Sequence, residues 1–167
     1  MSKILHIFGD SPYTEKFIRF INKYFESTEH QFIILCLNDK SKFLEFYKTQ
    51  TNCKVTQSKS IYFKYSQDFK SAKQIIIHQL NKPQLMSSLL LFYPQAYKKM
   101  VWSIWGGDVY FYKYKSNSLK DTLMEFLRKI TIFKIPVITS YIKGDYDEVV
   151  KIYNSSAKYI KAKYPSP

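Results

Sequence analysis

The sequence predicts a doubly wound α/β fold, one domain built on a mainly parallel sheet with helices on both faces. Three observations carry this. The strand candidates at residues 31–37 and 74–78 are apolar on both faces, as strands covered from two sides must be. They alternate with amphipathic helical stretches, the pattern of repeated βα units. Finally, 167 residues that are 46% hydrophobic and 18% aromatic along their whole length suit a single buried core and argue against disorder.

Residues 3–8 form a β-rich run ending at Gly9, and Ser11-Pro12 then supplies a helix cap with proline in the first turn. Phe17, Ile18, Phe20, Ile21, Tyr24 and Phe25 follow at helical spacing. The unit repeats with a strand over 31–37 and a helix over 41–47. Residues 53–56 and 61–65 read as shorter strands in polar surroundings at a sheet edge. Residues 74–78, Gln-Ile-Ile-Ile-His, read as a buried strand, followed by a helical stretch with Leu85, Met86, Leu89, Leu90 and Tyr93 that Pro94 ends. A strand over 100–105 closes at Gly106-Gly107. The next helix starts near Ser118, runs through Leu119, Leu123, Phe126, Leu127 and Ile130, and feeds a strand over 136–140. Asp145-Tyr-Asp-Glu148 has the spacing of a capping box, with Val149, Val150, Ile152 and Tyr153 as the buried stripe. A last strand over 158–161 precedes Tyr164-Pro-Ser-Pro167, which reads as the start of a linker, so the domain is expected to span 1–163.

Composition narrows the partners. Lys and Arg number 26 against 13 Asp and Glu, a formal charge of +13, which suits a polyanionic surface. Only Arg19 and Arg128 are arginines, whereas planar reading of bases favours arginine, so nucleic acid is not expected as the partner. Lysines mixed with Tyr and Phe suit an anionic lipid surface; the alternative is a merely solvated one. The first residues carry one charge and no small-residue cleavage site, and the apolar stretch 86–93 is far short of the roughly 20 residues of a membrane-spanning helix. A cytoplasmic protein is expected, with Cys36 a reduced structural thiol in an apolar run.

In doubly wound sheets, ligands bind beyond the carboxyl ends of the strands. Asp10 after Gly9, His78 at its strand end, Asp108 after Gly106-Gly107 and Asp145 after Gly144 all follow predicted strands. They are expected on one rim, and a Rossmann-like order opens a crevice next to Asp10 and His78. Each has a structural alternative: Asp10 and Asp145 as helix caps, His78 as a core histidine, Asp108 as a turn residue. Asp108 stands out because two glycines before it leave room for close approach, and Trp102 and Trp105 shield the position from water. No GxGxxG, GxxxxGK[ST], HExxH or GxSxG pattern is present, so dinucleotide, P-loop, zinc-protease and serine-hydrolase chemistry lose support.

The segment Trp102-Ser-Ile-Trp-Gly-Gly-Asp-Val-Tyr110 resembles bacterial family 56 glycosyltransferases, the lipid-linked N-acetylfucosaminyl (4-alpha-L-fucosyl) transferases. Leu5-His-Ile-Phe-Gly-Asp10 with the helix through Arg19-Phe-Ile-Asn22, the strand ending Ile77-His78, and Lys143-Gly-Asp145 fall in the same order. Gln79 and Lys143 differ from that pattern, where glycine and arginine are usual. The resemblance covers the whole chain as the front half of a family member.

It implies a GT-B enzyme with two facing Rossmann-like domains, of which this chain is the N-terminal, acceptor-side one and the C-terminal, donor-binding one is absent. It further implies metal-independent transfer of an amino sugar from a nucleotide-sugar donor to an undecaprenyl-diphosphate-linked saccharide acceptor, at the inner face of the cell membrane and without a cofactor. On this reading Asp108 is the general base, with His78 or Asp10 as alternatives, and Gly9, Asp10, His78, Trp105, Gly106, Gly107 and Asp145 are acceptor contacts. The competing readings are a free-standing α/β binding or regulatory module and a basic nucleic-acid-binding domain.

Overall fold

The computed structural model describes residues 3–36, 41–57, 61–78, 80, 93–114, 116 and 118–163. The helical stretch expected around 85–93, Gln79 and the linker at 164–167 lie outside these residues, except for Tyr93. The fold is α/β: a seven-stranded parallel sheet flanked by helices, Rossmann-like and doubly wound, with strand order β3-β2-β1-β4-β5-β6-β7. The strands are β1 (Ile4–Gly9), β2 (His30–Leu35), β3 (Cys53–Thr56), β4 (Gln74–His78), β5 (Met100–Ser103), β6 (Val137–Ser140) and β7 (Lys158–Lys161). The chain divides into two compact units, one running from Met1 to Ile76 and the other from Ile77 to Lys163.

In the first unit β1 pairs in parallel with β2, Ile4 opposite His30, and β2 with β3, Phe32 opposite Cys53. Every residue of β2 is buried, which explains the apolar run of residues 32–35. Helix α1 (Pro12–Tyr24) begins as its sequence demands: the Ser11 hydroxyl accepts from the Thr14 amide at 3.2 Å, and Pro12 occupies the first turn, where no amide hydrogen is needed. Such a cap contributes about 1 kcal/mol. Ile18 and Ile21 supply its buried side. Helix α2 (Leu44–Thr49) buries Tyr47 completely. Residues 61–65, expected as an edge strand, instead form helix α3 (Ile61–Lys64), followed by α4 (Ser66–Ser71). Their β-branched and aromatic residues gave a strand-like composition, but the Tyr65 hydroxyl donates to the Val55 carbonyl at 3.3 Å, and the turn packs back on β3. Phe69 of α4 is fully buried.

In the second unit β5 pairs in parallel with β6, Val101 opposite Val137, and β6 with β7, Val137 opposite Lys158. A short helix α5 (Phe111–Tyr114) follows the Gly106-Gly107 turn, then α6 (Leu119–Lys134), which Ser118 caps by accepting from the Asp121 amide at 3.1 Å. Helix α7 (Lys143–Tyr153) starts two residues before the expected capping box. Asp145 therefore lies inside the first turn, where a carboxylate still favours the positive helix end, but it is not the cap. Asn154 ends α7 in the left-handed conformation (φ 51°), its amide donating to the Val150 carbonyl, a conformation asparagine tolerates.

Candidate functional site

The site residues expected from sequence all sit at or beyond strand carboxyl ends: Gly9 and His78 are the last residues of β1 and β4, Asp10 follows β1, Trp105 to Asp108 follow β5, and Asp145 follows β6. Gly9 and Asp10 belong to the first unit; in the second, His78 and Trp105 to Asp108 share the turn after β5, while Asp145 is bonded to Tyr110.

In the first unit Asp10 does not cap α1, because Ser11 does. Its carboxylate instead accepts from the Tyr47 hydroxyl at 3.0 Å, and the Cys36 thiol points at its other oxygen from 3.6 Å. The same hydroxyl reaches the Ser11 carbonyl at 3.3 Å. Burial, reinforced by the adjacent Asp10 charge, pushes the Tyr47 hydroxyl far above its ordinary range, so it stays a donor. Thr14, fully buried, donates to the Gly9 carbonyl at 2.7 Å and fixes the strand-to-helix turn. Asp10 is thus held in one orientation while remaining partly open to solvent.

In the second unit the turn after β5 is organised by Asp108. One carboxylate oxygen, Oδ2, accepts from the Leu80 amide at 3.0 Å and from the Trp102 indole Nε1 at 2.8 Å. The other, Oδ1, accepts from the Trp105 amide at 3.2 Å. The Asp108 carbonyl accepts from Arg128 Nη1 of α6 at 2.8 Å. With 2% of its surface exposed, Asp108 is buried. Desolvation raises its carboxyl above the usual range, opposed by the three hydrogen bonds and by Arg128. Burial also draws the Arg128 guanidinium down, opposed by Tyr153, Glu125 and Asp108.

The glycine pair divides in function. Gly106 has φ +87°, a conformation side-chain-bearing residues rarely adopt, so the turn itself requires glycine there. Gly107 lacks a positive φ, and a Cβ placed on it meets nothing within 4 Å, so nothing among the described residues requires its lack of a side chain. The space beside it is open. His78, buried, stands edge-on to the Trp105 ring at 6.1 Å between centroids, which connects the end of β4 to the same turn. Asp145 is tied elsewhere: the Tyr110 hydroxyl donates to it at 3.1 Å, and Tyr112 donates to Glu148 one turn further along α7.

Sequence reasoning missed Tyr47 and Arg128. Both bond to candidate site residues 37 and 20 positions away, and no local spacing announces them. The rarity of arginine was the available signal for Arg128: a chain that uses lysine almost everywhere buries one of its two arginines, which donates to the Asp108 carbonyl and pairs with Glu125. Among the described residues no group of three or more His, Cys, Asp or Glu could hold a metal ion. No helix among them is long and apolar enough to cross a membrane. Set against models of protein families, curated proteins and solved structures, the chain matches none.

Proposed function

We propose that this chain is the acceptor-side half of a glycosyltransferase that moves an amino sugar from a nucleotide-sugar to an undecaprenyl-diphosphate-linked saccharide at the inner face of the cell membrane. The observation that carries the proposal is Gly107. A glycine that neither backbone conformation nor packing requires, beside open space at a strand carboxyl end, is what close approach of a bulky ligand to the backbone needs. The Rossmann-like order of the sheet supports it, since ligands of such folds bind at that end.

In the reaction the acceptor hydroxyl oxygen bonds to the anomeric carbon of the donor sugar. The bond from that carbon to the diphosphate breaks, and the leaving nucleoside diphosphate carries off the electron pair. The hydroxyl proton goes to a carboxylate. Asp108 suits this step because burial makes it a stronger base and because Oδ1 accepts a single hydrogen bond while Oδ2 accepts two, so Oδ2 anchors the group and Oδ1 keeps capacity for the proton. Reaching Oδ1 requires the Trp105–Gly107 backbone to yield to the acceptor. His78 and Asp10 are the alternative bases, and the donor is held chiefly by a second domain.

The test uses the protein joined to that domain. Gly107→Val keeps the fold and the unfolding midpoint, because the position is exposed and the Cβ it gains meets nothing within 4 Å among the described residues, while turnover falls by about tenfold or more as the acceptor is displaced. Normal turnover by Gly107→Val overturns the assignment of the turn. Residues 1–167 alone show no turnover; transfer by them alone refutes the half-site reading.

A further inference from the structure

Helix α6 is mounted with its apolar stripe outward. Leu119, Leu123, Phe126, Ile130 and Phe133 recur at spacings of four and three and line one face, at about 100° per residue. Leu119 is 87% exposed, Leu123 52%, Phe126 59% and Phe133 54%. The buried side carries Arg128, Thr131 and Ile132, two of them polar and occupied: Arg128 with the Asp108 carbonyl, Thr131 with the Leu127 carbonyl at 2.8 Å. A helix that served only the core would be turned the other way.

The charges around the stripe say what covers it. Lys120, Lys129 and Lys134 are exposed and flank it on both sides, at about 60° to 100° from its centre. Lys134 lies against the Phe133 ring, 5.8 Å from its centroid. The two acids of the helix are kept away from it: Asp121 accepts from the Ser116 amide and hydroxyl, and Glu125 turns towards Arg128, 3.7 Å away. An apolar stripe edged by lysines, with no acid among them, is the geometry of a helix lying in the plane of an anionic membrane surface. A second copy of the chain fits less well, since pairing two such faces brings lysine against lysine with no carboxylate between.

We propose that the outward face of α6 is a membrane-docking surface, its apolar residues entering the boundary between headgroups and acyl chains and Lys120, Lys129 and Lys134 meeting anionic headgroups. The helix spans about 24 Å, so the contact is a line along the bilayer plane rather than a point. This rests on the membrane-side location in the proposed function and is independent of sugar transfer.

The experiment is co-sedimentation of the 167-residue chain with phosphatidylcholine vesicles and with vesicles containing ~30% phosphatidylglycerol, at low and high salt. The chain binds the anionic vesicles at least about tenfold more tightly, and salt weakens this. Leu123→Glu with Phe126→Glu lowers partitioning by about tenfold or more, with circular dichroism unchanged; Leu123→Ser with Phe126→Ser serves as the milder pair if the charged one unfolds. Lys120→Gln with Lys129→Gln removes the preference for anionic lipid only. Wild-type chain that ignores both vesicles overturns the membrane location itself. Wild-type binding that the stripe variants retain leaves that location standing and overturns the role of α6. A dimer in solution that Phe126→Glu dissolves, without vesicle binding, hands the face to a second copy.

Discussion

Removing the Asp108 carboxylate should be among the most damaging single changes in the second unit, and its size can be worked from the hydrogen bonds. Asp108→Ala leaves the Leu80 amide and the Trp102 indole N–H without their acceptor in places where both residues are essentially dry, at 1% and 0% exposure. Each orphaned buried donor costs about 1–3 kcal/mol. The partly buried Trp105 amide adds less, and relief of the carboxylate's own desolvation offsets part of the sum, so a net loss of about 3 kcal/mol is expected. Asp108→Asn keeps one acceptor oxygen but turns an amide N–H₂ towards a remaining donor, for about 1–2 kcal/mol. Trp102→Phe removes one donor and costs less than Asp108→Ala. Urea unfolding followed by far-ultraviolet circular dichroism measures all three, and a double-mutant cycle between positions 108 and 102 should give a coupling of about 1–2 kcal/mol.

The same residue sets a pH dependence. Because burial raises the folded carboxyl, the folded state holds this proton more tightly than the unfolded chain. Its contribution is therefore greatest below the unfolded value near ~3.9 and declines as pH rises through the raised folded value, a slope that Asp108→Asn abolishes. An Asp108→Ala protein within about 0.5 kcal/mol of wild type would refute the reasoning, because donors that lose nothing were not relying on the carboxylate.

Tyr47→Phe should cost about 1–2 kcal/mol in urea unfolding, since it deletes a buried hydroxyl bonded to a carboxylate; an unchanged midpoint would mean Asp10 is held by something else. His6 is buried against His30, with 2.9 Å between ring nitrogens, and stacks on Phe32; burial first, then His30, lowers its pKa to about 3. A lowered folded value means stability is complete above the unfolded value near ~6.5 and is lost as pH falls from there towards the folded value, at up to about 1.4 kcal/mol per pH unit. His6→Phe should flatten that acid limb, and a mutant limb as steep as the wild-type one would move the effect to other groups.

The strands were legible in sequence because burial on two faces writes itself as unbroken apolar runs: β2 and β4 stand where those runs do, and β7 has the expected bounds. Ser11-Pro12 and Ser118 announced their helices because a cap is a local interaction among residues three apart. The failures share the opposite cause. Residues 61–65 have strand composition and helical structure because packing outweighs propensity over so short a run. The four-residue pattern at Asp145 fits a cap, but α7 begins earlier and its carboxylate goes to Tyr110 instead. Periodicity located α6 but carries no information on which side faces solvent, so its outward stripe appears only in three dimensions. For the site, Asp108 drew notice through its glycines, whereas the donors that hold it come from Leu80, Trp102 and Trp105 in a pattern no spacing encodes.

Among the described residues the last strand of the sheet has one neighbour, β6, and no strand pairs with its other edge. Backbone groups along such an edge will pair with any extended chain that arrives, and identical molecules are the most abundant arrivals in a concentrated solution. Here Lys158 and Lys161 are exposed on β7, and Lys163 just beyond it. Two molecules meeting at this border bring ammonium groups face to face before a single ladder bond can form. Ile160, 44% exposed, is an apolar residue that such a meeting would cover. The lysines are therefore expected to oppose pairing at this border while the repulsion is long-ranged, and added salt, which shortens that reach to about 3 Å at 1 M, should weaken the guard.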